Sequence, residues 1–117
     1  GGRGGFAGAA YALSARQALE LATRGGAAAL GRDDIGALAP GMAADFIALD
    51  LNRIGFAGAW HDPVAALVLC QPGAVDLSVI DGRIVVENGR LTTVDIEPAR
   101  RRHNALSMAM LRDETAP

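Results

Sequence analysis

Residues 74–91 read AVDLSVIDGRIVVENGRL, in which two Asx-Gly dipeptides separate runs rich in β-branched residues. Asp81-Gly82 lies between the runs 74–80 and 83–87, and Asn88-Gly89 precedes the run 90–94. Both dipeptides favour two-residue type I′ turns, because the twist of such turns matches that of the flanking strands. The stretch therefore predicts a three-stranded antiparallel meander.

The preceding segment, residues 32–73, predicts two further strands and a short helix. Ile35–Leu38 and Ala44–Leu51 are strand candidates on either side of a Pro40-Gly41 turn, which predicts two strands around that turn. Asp62 before Pro63 is typical of a helix start, since Asp caps well and Pro suits the first helical position. We expect that helix to cover residues 63–69 and to end at 71–73.

Two longer helices are predicted near the ends of the chain. Ser14 and Gln17 have the spacing of a capping box, which predicts a helix over 15–24 that stops at Gly25-Gly26. One more helical turn is predicted over 27–30, closed by Gly31. Asp95 opens a terminal helix that extends to about residue 111. Its apolar stripe consists of Ala99, His103, Leu106 and Met110.

These elements define an α+β fold, a small antiparallel sheet with flanking helices, in four segments. The segments are a flexible Gly-rich start (1–12), a helical segment (13–31), strands with a short helix near 63–69 (32–94), and a C-terminal helix (95–112). With 117 residues and 12.0 kDa the chain is one domain, too short for a (β/α)₈ barrel of ~250 residues. Ala and Gly together account for a third of the sequence, so we expect a thin core that depends on packing against further protein.

Charge and cysteine content exclude several classes of partner. The net charge is −2 and the pI about 5.6, which gives no electrostatic reason to expect nucleic acid. Cys70 is the single cysteine, so an internal disulfide is impossible and a reducing, cytoplasmic location is expected. No apolar run approaches the ~20 residues that span a bilayer, so we expect no membrane association.

The histidines give no metal-binding motif. His61 and His103 are far apart in the sequence and lie outside any H-x-H or H-E-x-x-H pattern. His61-Asp62 is compatible with an imidazole oriented by a carboxylate, but Asp62 is better explained as a helix cap. His103 is expected to be a core histidine bonded to a carbonyl.

Other reactive side chains also have structural explanations. Cys70 follows an apolar run and is expected to be a buried, inert thiol. Asp33-Asp34 lies beside Arg32 in a solvated loop, and Arg100–Arg102 spread around a helix surface. We therefore assign no catalytic, cofactor-binding or metal-ligating residue to this chain.

Three segments together resemble a known family. They are LSARQALELATRGGAAAL (13–30), IGALAPGMAADFIALDL (35–51) and VDLSVIDGRIVVENGRL (75–91). In this order they resemble the C-terminal end of the amidohydrolase superfamily. HDPVAALVLCQPGAVD (61–76) and RRHNAL (101–106) are similar to its chlorohydrolase and triazine-hydrolase branch, close to 8-oxoguanine deaminases and hydroxyatrazine ethylaminohydrolases.

The resemblance implies a longer parent protein. In the family, a metal-bearing (β/α)₈ barrel is joined to a small β-sandwich built from both ends of the polypeptide. This chain would supply a barrel-side helix (13–31) and half of that composite sandwich. The family's metal ligands lie upstream of the matched part, so zinc or a similar divalent metal is expected in the parent and none in this chain. The implied reaction is hydrolysis of C–N bonds other than peptide bonds, such as deamination of a purine or triazine-like ring.

Three hypotheses follow. In the first, the chain is scaffold in such a hydrolase, is inactive alone, and packs against the remainder of the barrel. In the second, it is a free-standing β-rich binding or assembly module. In the third, it is a self-contained catalyst that uses His61 and Asp62. Unpaired strand edges also predict a homo-oligomer formed through those edges.

Overall fold

A computed structural model describes residues 12–115, so nearly all of the predicted flexible start (1–12) lies outside the described residues. The helices and strands form a small antiparallel sheet with helices before, within and after it. In chain order they are α1 (Ala15–Glu20), a π-helical turn (Leu21–Gly25), α2 (Gly26–Ala29), β1 (Phe46–Ala48), a 3₁₀ turn (Ile54–Phe56), α3 (Pro63–Leu69), β2 (Leu77–Ile80), β3 (Arg83–Glu87), β4 (Arg90–Leu91) and α4 (Ile96–Thr115).

The first helical segment begins with the predicted capping box. The Gln17 amide donates to the Ser14 hydroxyl at 3.1 Å, and the Ser14 amide donates to the Gln17 side chain at 2.9 Å. The predicted stop at Gly25-Gly26 is wrong, because both residues keep right-handed helical angles. A π-helical turn forms there, in which the Gly26 amide donates to the Leu21 carbonyl.

The helical segment ends at Gly31, as predicted. Gly31 has φ +67°, and its amide donates to the Ala28 carbonyl at 3.0 Å. The Arg32 amide donates to the Ala27 carbonyl at 3.0 Å. This pair of bonds is a Schellman motif, which satisfies carbonyls that the helix end would leave without partners.

The segment after the helix is a loop, so the predicted strand Ile35–Leu38 is wrong. Gly36 has φ +89° and lies against the π-helical turn. A Cβ atom on Gly36 would lie 2.8 Å from the Thr23 carbonyl oxygen and 3.0 Å from the Ala27 Cβ. Close packing on the helix therefore replaces strand pairing in this segment.

The meander is confirmed, although its outer strands are shorter than predicted. Asp81 (φ +50°) with Gly82 (φ +76°), and Asn88 (φ +50°) with Gly89 (φ +75°), form the two turns. Positive φ at both central residues is the signature of the type I′ turn. β2 covers 77–80 instead of 74–80, and β4 covers 90–91 instead of 90–94.

A fourth strand completes the sheet, in the order β1-β2-β3-β4. Phe46 pairs with Val79 and Ala48 pairs with Leu77, so β1 lies antiparallel to β2. The predicted pairing of 44–51 with 35–38 is therefore wrong. The 3₁₀ turn and α3 separate β1 from its true partner along the chain, so no local turn signal reveals the pairing.

The core is small, as the composition predicts. The buried hydrophobic residues are Ala27, Phe56, Ala66 and Val79, and the side chain of Phe56 is 0% exposed. α1 packs against α3, whose first turn is capped as predicted, with the Ala65 amide donating to Asp62 at 3.0 Å. The remaining apolar residues are largely at the surface.

α4 is exposed along the part of its length whose side chains the structure describes. Residues 90–113 are all exposed, and no other helix or strand of the described chain packs extensively against α4. The Cα radius of gyration is 20.0 Å, whereas a compact domain of this length measures about 13 Å. The fold therefore presents much of its apolar surface to solvent.

Candidate functional site

The structure gives Asp62 of the His61-Asp62 pair a structural role. One oxygen of Asp62 accepts the Ala65 amide at 3.0 Å as the cap of α3, and both residues are exposed. The carboxylate is therefore occupied by the helix cap, as the structural interpretation of the sequence predicts. The third hypothesis gains no support from this arrangement.

The other two candidate side chains are less buried than predicted. His103 lies on an exposed face of α4, so its prediction as a core histidine is wrong. The reason is that α4 projects from the sheet, so its apolar stripe meets no core within residues 12–115. Cys70, predicted to be buried, is half-buried at the end of α3.

Asp34 belongs to a local ion pair. Its carboxylate accepts two hydrogen bonds from the Arg32 guanidinium, at 2.8 and 2.7 Å. These bonds hold the pKa of Asp34 below the usual carboxylate range and raise the pKa of Arg32. The pair lies in the predicted solvated loop, where both side chains are about half exposed. Arg100–Arg102 are exposed on α4, where Arg100 pairs with Glu97.

The Asp76 carboxylate, which sequence reasoning missed, joins distant parts of the described chain. It accepts the Asp50 amide at 2.6 Å and pairs with the Arg53 guanidinium. Arg53 also donates to the carbonyls of Pro72 and Ala74, at 2.8 and 2.7 Å. The Asp50 amide above all, together with Arg53, holds the pKa of Asp76 below its usual range.

This network joins the segment after β1 to the segment before β2. The Asp76 amide donates to the Ala48 carbonyl, and the Gly89 amide donates to the Asp76 carbonyl, both at 3.1 Å. The partners of Asp76 therefore come from earlier and later parts of the chain, and none is a neighbour in sequence. All of these donors and acceptors belong to the chain itself, so the network holds these segments together.

A second carboxylate missed by sequence reasoning, Asp45, supports the first hairpin turn. The Asp81 amide donates to the Asp45 carboxylate at 2.7 Å, and the Gly82 amide donates to the Ala44 carbonyl at 3.1 Å. Both bonds join the segment before β1 to the turn between β2 and β3. No local sequence signal could have found this contact.

The depressions of the described surface are open and lined mainly by one local segment each. One, of about 780 Å³, is lined by residues 89–97. A second, of about 390 Å³, lies on α4 beside His103, Leu106 and Met110, and a third, of about 340 Å³, lies beside Trp60. The Trp60 indole N–H donates to the Leu51 carbonyl at 2.7 Å. None of them gathers the acid, base and nucleophile that hydrolysis needs.

Residues 12–115 also do not fit a metal ion. Among the side chains that the structure describes, no group of three or more from His, Cys, Asp and Glu has an arrangement that could hold one. No helix in the same range is both long and apolar enough to cross a membrane. The chemistry of this chain is therefore clearer from its relatives than from its own side chains.

Two curated relatives are bacterial proteins that are named as an ethylaminohydrolase and a deaminase. Hydroxydechloroatrazine ethylaminohydrolase of Pseudomonas sp. (strain ADP) is 50% identical over 78 residues, which are 66% of this chain and 16% of that enzyme. The 8-oxoguanine deaminase of Pseudomonas aeruginosa is 40% identical over 94 residues, 80% of this chain and 21% of that enzyme. This chain thus spans about a fifth of the length of these relatives.

Solved structures and a family model agree with these relatives. The zinc complex of atrazine chlorohydrolase from Arthrobacter aurescens TC1 matches with a TM-score of 0.74 at 39% identity, over 80% of this chain and 21% of that one. A zinc-bound adenosine deaminase from Xanthomonas campestris matches with a TM-score of 0.68 at 28% identity, over 83% and 23%. The model of the amidohydrolase family matches residues 3–85. On this evidence the chain belongs to the amidohydrolase family.

Proposed function

We propose that this chain is the C-terminal part of a metal-dependent amidohydrolase that hydrolyses C–N bonds other than peptide bonds. The proposed reaction is deamination of a purine or triazine-like ring, with 8-oxoguanine as the first substrate to test. The observation that carries the proposal is the identity of 50% and 40% to an ethylaminohydrolase and a deaminase of such rings. Both reactions displace an amine or ammonia from a ring carbon by water.

In this proposal the chain is scaffold. Leu13, Leu21 and Leu30 of the first helical segment are 58 to 71% exposed, and Ile54 after β1 is 91% exposed. Apolar side chains on several elements favour a partner surface of comparable extent. We propose that the partner is the remainder of a (β/α)₈ barrel, which continues the same polypeptide. We also propose that the whole protein is cytoplasmic.

The sheet supports a related proposal, that it is half of a composite β-sandwich. Ile47 and Ile80 share one face of the sheet, because their neighbours Phe46 and Val79 are paired on the other face. Both isoleucines are more than half exposed. A sheet that is apolar on both faces requires cover on both, which a second sheet provides in a sandwich.

The expected zinc belongs to the rest of the proposed enzyme, because the described residues do not fit a metal ion. The zinc-bound neighbours support a divalent metal there. This chain's contribution is to hold the helices and strands that continue the barrel. No catalytic step is assigned to its side chains.

The test is to determine the reading frame upstream of the codon for Gly1 and to express the longer protein beside the 117-residue chain. We expect an H-x-H motif in that frame, stoichiometric zinc in the longer protein, and ammonia release from 8-oxoguanine. The shorter chain is expected to bind no zinc and release no ammonia. A stop codon just before Gly1, with a folded and metal-free chain, would overturn the proposal.

That outcome would instead support an independent assembly module. β1 and β4 are the edge strands of the sheet, and each presents unpaired backbone groups to a further strand. In this alternative the chain forms a homo-oligomer through its strand edges. Recovering a stable oligomer of defined size from differently tagged copies, with the amides of β1 or β4 protected from exchange in it, would distinguish it from scaffold.

A further inference from the structure

The exposed face of α4 has a regular spacing of apolar residues, which does not depend on the proposed hydrolase function. Ile96, Ala99, His103, Leu106 and Met110 follow one another at alternating intervals of three and four. This is the period of a coiled-coil seam, in which one helix packs along another. The same interval places Asp113 next on the seam.

This seam is uncovered within residues 12–115. Ile96, Leu106 and Met110 are 54, 55 and 67% exposed, and the seam borders the depression of about 390 Å³ on α4. Three large apolar side chains in one line are more than a solvated helix requires. The face therefore favours a second helix.

The polar members of the seam identify which helix fits. His103 and Asp113 lie about 15 Å apart along the helix axis, so they cannot meet within one copy. In an antiparallel pair of identical helices centred near residue 108, His103 of one copy faces Asp113 of the other. The same register pairs Leu106 with Met110 across the interface, twice by symmetry.

Other arrangements of two copies fit less well. A parallel pair would place Asp113 against Asp113, where like charges repel. An antiparallel pair shifted by one heptad would place Asp113 against Ile96, leaving a carboxylate against an apolar side chain. In the favoured register an imidazole N–H of His103 donates to the Asp113 carboxylate. Histidine has such an N–H in either protonation state.

We propose that α4 is a self-association surface, which pairs antiparallel with α4 of a second copy through Leu106, Met110 and the His103–Asp113 contact. Ser107 and Ala109 flank the two-fold axis, and their small side chains permit close approach of the helices. The overlap is only about 15 Å long, so the dimer is weak and depends on concentration. It is distinct from association through strand edges.

A matched pair of variants tests the surface by sedimentation equilibrium of the 117-residue chain. Leu106→Asp places a charge on the seam, and Met108→Asp places one on the opposite side of the same helix. Both native side chains are similarly exposed, at 55 and 53%. We expect Leu106→Asp to raise the dimer dissociation constant at least about tenfold and Met108→Asp to change it less than about twofold.

A charge exchange tests the register. His103→Asp alone is expected to weaken the dimer, because it places Asp against Asp113. Adding Asp113→Arg is expected to restore the dimer to within about threefold of the wild-type dissociation constant, since the two sites meet only between copies. Far-UV circular dichroism of each variant confirms that α4 is retained.

A chain that is monomeric up to about 1 mM would overturn the proposal. So would a dimer that persists in Leu106→Asp, because that dimer would lie elsewhere, for example at the strand edges. A third result would overturn the antiparallel register. In it, Leu106→Asp abolishes the dimer, but Asp113→Arg does not restore the dimer that His103→Asp weakens. None of these results depends on metal or on hydrolytic activity, so the proposed function is tested separately.

Discussion

Gly36 shows how one missing side chain decides the local structure. Gly36 has a φ of +89°, and a Cβ atom on it would lie 2.8 Å from the Thr23 carbonyl oxygen. There is therefore no space for a side chain. Gly36→Ala is expected to lower the free energy of unfolding by about 3 kcal/mol, from backbone strain and a clash with main chain together. Urea unfolding followed by circular dichroism measures the change.

Gly41 provides the matched control for this substitution. It has a similar φ of +83°, but a Cβ atom there would meet nothing within 4 Å. Gly41→Ala is therefore expected to cost only the strain of a left-handed residue, about 1 kcal/mol. Equal losses in the two variants would contradict the close packing of Gly36 on the helix.

The Asp76 carboxylate gives the fold a dependence on pH. Its pKa is lowered, chiefly by the Asp50 amide and also by Arg53, so the folded state binds this proton less readily than the unfolded state. The resulting stability is present above the ordinary carboxylate pKa and is lost as the pH falls through the lower, folded-state value. We expect the melting temperature to fall below about pH 4.

Asp76→Asn tests this assignment in thermal melts between neutral and acidic pH. The variant is expected to be less stable at neutral pH, and its melting temperature is expected to fall less steeply in acid. Some slope should remain, because the pKa of Asp34 is also lowered, by Arg32. A pH profile as steep as that of the wild type would show that Asp76 does not carry the effect.

At the scale of one element, the capping box decides where the first helix begins. Ser14→Ala removes the acceptor of the Gln17 amide and is expected to cost about 1 kcal/mol of stability. Ser14→Thr keeps a hydroxyl and should lose much less. Denaturant midpoints of the three proteins give the comparison, and equal midpoints for Ala and Thr would contradict a capping role.

Elements with local signals were predictable from the sequence. Both type I′ turns depend on two adjacent residues each, and the α3 cap depends on Asp62 and the nearby Ala65 amide. Since all the partners are near in sequence, pattern and propensity suffice. The same holds for the helix end at Gly31.

Elements that depend on distant partners were not predictable. The strand expected at 35–38 is a loop, because Gly36 packs on the helical segment that precedes it. Gly25 and Gly26 lie in that segment and stay helical. The carboxylates of Asp76 and Asp45 accept amides that lie 26 and 36 residues away in the chain. Propensity carries no information about such contacts.

At the scale of the whole molecule, the small core follows from the composition. A chain with this much Ala and Gly buries little apolar area, and four hydrophobic residues are buried among those described. The stability of the elements is therefore expected to differ along the chain. The central strands β2 and β3 are held by pairing to their neighbours, whereas α4 makes few contacts with other elements.

Hydrogen exchange makes this difference measurable. In the dilute 117-residue chain, amides of β2 and β3 are expected to exchange slowest, because each strand is paired on both sides. Amides of α4 are expected to exchange fastest among the regular elements, since most helical stability in proteins comes from tertiary packing and α4 makes few contacts with other elements. The experiment is then repeated at high protein concentration.

At high concentration the amides of α4 alone are expected to gain protection, because pairing with a second copy supplies the missing packing. Met108→Asp should show the same gain and Leu106→Asp should show none. Protection that rises in β1 or β4 instead would place self-association at the strand edges. Protection of α4 that is high and independent of concentration would show that the helix is stable alone, and would remove the physical reason for its pairing.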